Sequence, residues 1–281
     1  MRYHEPDSVA EVVARLQAEP DARCLAGGAT LVAMMNADLV SPTALLGLRR
    51  VVEMHGISQL SEGLRIGAMT THREVAAETR LEGPGRVVRR AAGQIAHPAI
   101  RNVGTIGGAI CHGDPSTDLP AALVAAGAGI VIAGPGGDRV IDAEVFFVDY
   151  LETALAPAEI VTAVLVPQQP RGARSDYLKF SRVEGDYATV SVAVVLEFSG
   201  PVCVHARIAL GACGPRPLRV PPAEARLVDS DLAPARLAEA GELLAAASAP
   251  LDDVRGSAGY RRRLITPLLS RAVELVRAQV S

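Results

Sequence analysis

The decisive stretch of the chain spans residues 95–110 and reads I-A-H-P-A-I-R-N-V-G-T-I-G-G-A-I. Two adjacent glycines, Gly107 and Gly108, follow a short apolar step, while Thr105 supplies a hydroxyl and Arg101 a nearby positive charge. Because glycine has no Cβ, backbone N–H groups at such a pair can come within hydrogen-bond reach of an anion. The segment therefore predicts an anion site built mainly from backbone amides.

A second glycine pair lies earlier, in the segment L-A-G-G-A-T-L at residues 25–31. It lies between a predicted strand at 23–26 and a predicted helix at 30–37, a favourable place for a phosphate. A Gly-Gly pair after a strand is also a common simple turn. The segment matches neither G-x-G-x-x-G nor G-x-x-x-x-G-K-[ST], the fingerprints of an ordinary Rossmann site and of a P-loop. Two separate glycine pairs suit a diphosphate approached from both sides.

A carboxylate follows the second glycine pair, in the segment D-P-S-T-D-L-P at residues 114–120. Asp118 in this segment has the chemistry to accept hydrogen bonds from a sugar hydroxyl. It also precedes a predicted helix at 121–126, so an N-cap role is equally compatible with the spacing.

The hydrophobic pattern of the first 166 residues predicts alternating helices and strands. Predicted helices lie at 8–16, 71–78 and 87–95, and predicted strands at 51–54, 64–67, 129–133 and 160–166. The β-branched strand at 160–166 is expected to have a neighbour on both sides. Residues 104–110 are predicted to form a glycine-rich loop and strand.

A change in composition at residues 167–172, which are polar and bounded by prolines, predicts a linker. Beyond it, predicted strands at 175–182, 189–198 and 202–212 indicate an antiparallel meander. Predicted helices at 233–247 and 259–280 would cover one face. This arrangement is an α+β domain.

Composition and charge argue against several classes of function. The chain has 281 residues, 49% of them hydrophobic, and a net charge of −3, so it can bury two domain cores but offers no basic stripe for nucleic acid. The N-terminus lacks the apolar core of a signal peptide, and the longest apolar stretch, 121–133, is too short to span a bilayer. A cytoplasmic protein is expected. The four cysteines form no C-x-x-C pair, and the spacing of His97, Cys111, His112 and Asp114 matches no familiar zinc pattern, so no metal site is predicted.

The order of these motifs, A-G-G-A-T-L, then R-N-V-G-T-I-G-G, then D-P and D-L-P, resembles the FAD-binding medium subunit of molybdenum hydroxylases. This is the family of xanthine dehydrogenase and aerobic carbon monoxide dehydrogenase. The resemblance continues through residues 68–74, 179–187 and 211–217 and so covers nearly the whole chain.

The resemblance implies a two-part FAD-binding domain of the p-cresol methylhydroxylase or vanillyl-alcohol oxidase type over residues 1–168, with subdomains at about 1–53 and 54–168. A smaller α+β C-terminal domain of the carbon monoxide dehydrogenase flavoprotein type, with an antiparallel sheet, would follow over 172–281. It further implies non-covalent FAD, with [2Fe–2S] clusters and molybdopterin cofactor carried only by partner subunits. Those partners are a small iron–sulfur subunit and a large molybdenum subunit, assembled with this chain as a hetero-hexamer.

The resemblance also implies a set of cofactor-binding residues. These are Leu25, Ala26, Gly27, Gly28, Ala29, Thr30, Leu31, Ile95, Arg101, Thr105, Ile106, Gly107, Gly108, Ala109, Asp118, Val161, Lys179 and Tyr187. Segments 25–31 and 105–109 would clasp the diphosphate, and Asp118 would contact the ribose or adenosine part. Ile95 and Val161 would pack against the cofactor.

Two residues in the C-terminal part are expected to tune the flavin. Lys179, the only lysine in the chain, falls on a basic position near the flavin, where it would stabilise negative charge on the reduced ring. Tyr187 falls where relatives place an aromatic residue over the isoalloxazine. Ala29 and Ala109 depart from the side chains of many relatives, which affects individual side-chain contacts but not backbone donation.

The function implied is electron transfer: electrons from the [2Fe–2S] clusters of the small subunit would pass through FAD to NAD, a quinone, oxygen or another acceptor. No residue of this chain is expected to be catalytic in the substrate reaction, because the substrate is chosen on the molybdenum subunit. The alternative is a free-standing FAD-dependent oxidase or dehydrogenase of the same fold acting on a small organic substrate. Such enzymes have an aromatic-rich substrate domain, for which this sequence offers few candidates.

Overall fold

The structure, a computed structural model, describes residues 1–168 and 172–279. Its N-terminal unit is a three-stranded parallel sheet in the order β1-β3-β2. The elements are β1 (Arg2–His4), α1 (Val9–Ala18), β2 (Arg23–Leu25), α2 (Leu31–Asn36) and β3 (Ala44–Gly47). Helix α1 begins after Ser8, whose hydroxyl accepts a hydrogen bond of 3.2 Å from the Glu11 amide. The predicted helices at 8–16 and 30–37 and the strand at 23–26 are confirmed.

The second part is built on a five-stranded antiparallel sheet in the order β4-β5-β10-β6-β7. Its elements are β4 (Ile57–Leu60), β5 (Gly63–Gly67), α3 (His72–Ala77), α4 (Arg86–Gln94), α5 (Pro98–Arg101), α6 (Ile106–His112), α7 (Asp118–Ala126), β6 (Gly129–Gly134), β7 (Gly137–Asp142), α8 (Ala143–Phe146), β8 (Phe147–Asp149), β9 (Glu152–Thr153) and β10 (Ile160–Pro167). Strands β8 and β9 pair only with each other. As predicted from its β-branched sequence, β10 has a neighbour on each side.

The C-terminal part is a four-stranded antiparallel sheet in the order β11-β12-β13-β14. Its elements are β11 (Ala173–Phe180), β12 (Val190–Ser199), β13 (Val202–Gly211), β14 (Leu218–Arg219), α9 (Pro221–Ala225), α10 (Pro234–Ala247) and α11 (Ala258–Arg277). Alternation along β12 directs Val192 and Val194 towards the core under α10 and α11, and Ala193 and Val195 towards the core of the second part. The sheet therefore separates two hydrophobic cores.

Two predicted strands are wrong. Residues Val52–Met54 form a 3-10 helix, and the strand that pairs with β5 is β4. Residues 104–110 contain the start of α6, where the Thr105 hydroxyl accepts a hydrogen bond of 3.1 Å from the Gly108 amide. This N-cap, together with packing of Gly107 on Ala68, stabilises a helix that two adjacent glycines would not form alone.

Part of the predicted linker at 167–172, namely residues 169–171, lies outside the described residues. Pro167 ends β10, and Gly172 precedes β11 with a φ of +105°. The end of the last predicted helix, Val280, also lies outside the described residues. Within the described ranges, no helix combines the length and apolarity needed to cross a bilayer.

Helix α7 links the two larger parts. All of its residues are buried, and its last turn is capped from the C-terminal sheet, where Arg207 donates hydrogen bonds to the carbonyls of Val124 (2.9 Å) and Ala125 (3.2 Å). A cation at a helix C-terminus also complements the helix dipole. Arg207 is therefore a structural tie between β13 and α7.

We predict that Arg207→Met lowers the free energy of unfolding by ~1–3 kcal/mol, because two carbonyls lose a charged donor. Urea unfolding of the full chain measures this. Arg271→Met is the control, since Arg271 is exposed and, among the described residues, pairs only with Glu274 on its own helix, so its loss should change the stability by less than about 0.5 kcal/mol. Equal effects of the two substitutions would contradict a structural role for Arg207.

Candidate functional site

A cavity of ≈ 680 Å³ opens where the N-terminal unit, the five-stranded sheet and the loop between β11 and β12 meet. Most of the predicted cofactor-binding residues line it. They are Ala26, Gly27, Gly28, Ala29, Thr30, Leu31, Ile95, Thr105, Gly107, Gly108, Ala109, Asp118, Val161 and Tyr187. The volume is within the usual range of about 300–1,000 Å³ for ligand pockets. The fold thus brings two distant glycine segments and a loop of the C-terminal part to one place.

The first glycine segment, at residues 25–31, presents free donors to this cavity. Within the described part of the chain, the amides of residues 27–30 donate no hydrogen bond to protein. Gly28 adopts a φ of +77°, a conformation that glycine reaches without strain. Unsatisfied amides in a row form a concave site suited to an anion such as a phosphate.

The second glycine segment approaches the first so closely that only glycine fits at position 27. A Cβ on Gly27 would overlap the carbonyl of Val103, whereas a Cβ on Gly108 would lie 3.1 Å from the Thr105 hydroxyl oxygen and in ordinary contact, at 3.8 Å, with the Cβ of Ala26. Gly108 is exposed to the cavity, whereas Gly107 is buried. The gap between the two segments is therefore open at Gly108 and would be narrowed by any side chain there.

Most backbone amides of the second segment already donate hydrogen bonds to protein acceptors. Fewer of them are therefore free to bind a diphosphate than the sequence predicts. Gly107 donates to the Ala68 carbonyl at 2.8 Å, Ile106 to the Thr70 carbonyl at 2.9 Å, and Ala109 to the Thr105 carbonyl at 3.0 Å. The Gly108 amide donates only to the Thr105 hydroxyl. The second segment thus contributes its shape and the Thr105–Gly108 pair, while the first contributes the free amides.

Asp118 lies at the start of α7 and is 5% exposed. It is not a helix cap: the N-cap is Thr117, and the Asp118 carboxylate instead accepts from the Tyr177 hydroxyl at 2.8 Å and contacts the Lys179 ammonium at 2.9 Å. Burial raises the pKa of Asp118, whereas Lys179 and Tyr177 act to lower it. Asp118 is the one carboxylate in the predicted set of cofactor-binding residues, and it lines the cavity.

Four predicted residues do not line the cavity: Leu25, Arg101, Ile106 and Lys179. Arg101 instead donates hydrogen bonds of 2.8 Å to the carbonyls of Ile95 and Ala96, which holds Ala96 at its positive φ of +43°. Lys179 is buried behind Asp118. Arg101 and Lys179 therefore support residues of the cavity wall.

Tyr187 stands at the edge of the cavity, with 40% of its surface exposed. The Arg255 guanidinium lies 4.9 Å from the ring centroid of Tyr187, and Arg255 also pairs with Asp186 at 3.4 Å. Burial and Asp114 raise the pKa of Tyr187, so its hydroxyl stays protonated near neutral pH. One ring face is thus supported by Arg255, and the side chain remains accessible beside the cavity.

Sequence reasoning missed several lining residues, among them Cys24, Met34, Met54, Met69, His72, Ile100, His112 and Leu151. His72 lies within the segment A-M-T-T-H-R-E, whose Thr71 and Glu74 form a capping box. Burial and the nearby Arg101 lower the pKa of His72 to about 4, so it is neutral at pH 7. Among the described residues, His, Cys, Asp and Glu nowhere form a group of three that could hold a metal ion.

The cavity therefore combines amide donors for phosphate, a carboxylate for hydroxyls, and apolar walls from Met, Ile and Val for an aromatic ring system. Between two α/β units, these properties define a two-part dinucleotide-binding fold of the flavoprotein class. Residues 1–169 match the family model for the FAD binding domain in molybdopterin dehydrogenase, and residues 175–276 match that for the CO dehydrogenase flavoprotein C-terminal domain. The chain belongs to the FAD-binding medium subunits of the molybdenum hydroxylase family.

Known relatives agree over the full length. The chain is 38% identical to the carbon monoxide dehydrogenase medium chain of Afipia carboxidovorans, over 99% of this chain and 96% of that one. It is 33% identical to the nicotine 6-hydroxylase medium subunit of Paenarthrobacter nicotinovorans, over 97% and 96%. A crystal structure of cyanide-inactivated Cu,Mo-CO dehydrogenase superposes with a TM-score of 0.96 at 38% identity, over 99% of this chain and 98% of that one.

The comparisons confirm the predicted resemblance and the α+β fold class. The chain is the FAD-binding electron-transfer subunit of a molybdenum hydroxylase, an oxidoreductase component whose relatives are medium subunits of multi-subunit complexes. It therefore has partner subunits.

Neighbouring glycines in the second segment give a sharp test of the site. Gly107→Ala should lower the free energy of unfolding by ~1–3 kcal/mol, because its Cβ would lie 2.6 Å from the Ala68 Cβ. Gly108→Ala, whose Cβ would come no closer than 3.1 Å to the Thr105 hydroxyl oxygen, should cost less stability than Gly107→Ala and should weaken FAD binding by about tenfold, equivalent to about 1.4 kcal/mol. Urea unfolding and flavin titration of both variants measure these effects. Normal FAD affinity in Gly108→Ala would show that the gap between the glycine segments does not hold the cofactor.

Proposed function

We propose that the chain binds one FAD non-covalently in this cavity, with the diphosphate held by the amides of residues 27–30 and by Thr105 and Gly108. Asp118 would accept hydrogen bonds from the ribose or adenosine part, and Ile95 and Val161 would pack against the cofactor. When bound, FAD supplies the exchange of electrons one or two at a time. The chain's own residues would bind and orient it, and the exposed Tyr187 ring would lie at the edge of its site.

One observation carries this proposal: a row of unpaired amides faces a gap that a single Cβ at Gly108 would narrow. Arg23 is the one lysine or arginine that lines the cavity among the described residues, so a row of free amide donors fits a diphosphate bound mainly by backbone. Backbone donation also explains why alanine side chains at Ala29 and Ala109 are compatible with the site.

The electron donor we propose is a small subunit with [2Fe–2S] clusters, and the acceptor is NAD, a quinone, oxygen or a further carrier. Oxidation of the substrate would take place at the molybdopterin cofactor of a large subunit. We further propose a hetero-hexamer in the cytoplasm, with the FAD-binding part at residues 1–168, divided at about residue 53, and the C-terminal part at 172–281.

The alternative, a free-standing oxidase acting on an organic substrate, is less well supported by this cavity. Tyr187 is the only aromatic residue that lines it among the described residues. Of its buried titratable groups, His72 is a weak base because its pKa is lowered to about 4, and the Asp118 carboxylate is already paired with Lys179, so neither is poised as a catalytic base. The relatives quoted above are likewise named as medium chains or subunits.

The isolated chain should take up FAD that is released by trichloroacetic acid, and it should not turn over an alcohol, phenol or sugar. Flavin bleaching with the substrate of the parent complex should occur only after assembly with the iron–sulfur and molybdenum subunits. Absorbance spectroscopy of the chain alone and of the reconstituted complex measures this. Turnover by the isolated chain at about 1 per second or faster would instead favour the free-standing oxidase.

Tyr187 should tune the bound flavin. Tyr187→Ala removes the ring supported by Arg255 and should shift the two-electron potential by on the order of tens of millivolts, where about 30 mV corresponds to 1.4 kcal/mol. Spectroelectrochemical titration measures the shift, and Tyr150→Ala, an exposed tyrosine outside the cavity lining, is the matched control. An unchanged potential would place the Tyr187 ring away from the isoalloxazine.

A further inference from the structure

A buried polar cluster lies directly behind the cavity wall. The Lys179 ammonium contacts the Asp118 carboxylate at 2.9 Å and 3.2 Å and donates to the Gln94 carbonyl at 2.9 Å. The Tyr177 hydroxyl donates to the same carboxylate at 2.8 Å. The side chains of Lys179 and Asp118 are 4% and 6% exposed, so this ion pair is almost completely removed from water.

The cluster joins two parts of the chain. Tyr177 and Lys179 are two residues apart on β11, so both point to the same face of the C-terminal sheet, and Asp118 opens α7 in the FAD-binding part. Asp118 lines the cavity, whereas Lys179 and Tyr177 do not. The chain's only lysine therefore reaches the cofactor site through a carboxylate.

We propose that Lys179 and Tyr177 are positioning residues that act on the cofactor only through Asp118. They hold its carboxylate ionised and fixed, so that it can accept hydrogen bonds from the cofactor's hydroxyl groups. This inference rests on the proposed FAD site. It differs from the role implied by family resemblance, in which the lysine stabilises charge on the flavin ring directly.

The physical reason is the cost of burying a carboxylate. Burial favours the neutral acid, and the two donors from β11 favour the ion. Tyr187, on the loop after β11, interacts electrostatically with Asp118, and it also interacts with Asp114 before α7 and with Arg255 over its ring. None of them replaces the ammonium, because Lys179 is the one cation in direct contact with Asp118 among the described residues.

Lys179→Met should therefore weaken FAD binding by about tenfold near pH 7, because an unpaired buried carboxylate favours its protonated form, which accepts hydrogen bonds less strongly than the ion. Since a higher pH restores the ionised carboxylate, affinity in this variant should rise with pH more steeply than in the wild type. Lys179→Arg, which keeps the cation, should retain most of the affinity.

The test is a double-mutant cycle on the full chain, measured by FAD titration and by the potential of the bound flavin. Asp118→Asn removes the carboxylate charge, and adding Lys179→Met to it should cause no further loss of affinity and no further shift of potential. Because the double variant leaves no unpaired buried charge, it keeps the test valid if Lys179→Met alone folds poorly. Arg90→Met is the control. Arg90, on α4, pairs with Asp176 of β11, the strand that also carries Lys179, but its side chain is 47% exposed.

Three results would overturn the inference. The first is unchanged affinity in Lys179→Met. The second is a loss of FAD affinity in the double variant that equals the product of the losses in the two single variants. The third is a shift of the flavin potential caused by Lys179→Met that persists in the Asp118→Asn background. A wild-type chain that binds no FAD, alone or in its complex, would overturn the proposed function and this inference with it, so the two failures are distinguishable.

Discussion

The cleft depends on how closely its backbone segments approach one another at positions without side chains. Gly27 lies against the carbonyl of Val103, and Gly107 lies against Ala68 and donates its amide to that residue's carbonyl. These contacts fix the two glycine segments at a separation that leaves room for a backbone-bound ligand. Because the contacts involve backbone, no rearrangement of rotamers can compensate for an added Cβ.

The two glycine segments differ in what they supply, although their sequences look alike. In the first, the turn after β2 leaves a series of amides without acceptors, and in the second, the helix cap and the contact with Ala68 use nearly all of them. A Gly-Gly pair therefore has two physical meanings in one site: free donors in one segment, close packing in the other. The supporting groups are also divided, with Arg101 fixing the turn at Ala96 and β11 fixing Asp118.

The sequence predicts those parts of the fold and the cleft in which a single residue property decides the local structure. The β-branched run at 160–166 predicts a central strand, and the conformational needs of glycine predict the two segments of the cleft. The loop and strand predicted for residues 104–110 is wrong, because Ile106 and Ile110 favour β structure locally while the Thr105 cap and the contact with Ala68 favour a helix. Tyr177 could not be predicted at all, since its role comes from a contact 59 positions away in the chain.

The central position of β10 has a consequence for how the chain acquires its structure. β5 ends at Gly67, and the strand that pairs with its inner edge begins only at Ile160, after roughly ninety further residues have been added. β6 meets the same strand on its other edge. During synthesis, both edges remain open until β10 has left the ribosome, and such unpaired edges are sites where chains associate wrongly. The FAD-binding part is thus completed by its last strand. In a nascent chain that lacks β10, the β4-β5 and β6-β7 pairs are not joined into one sheet, and the inner edges of β5 and β6 stay exposed.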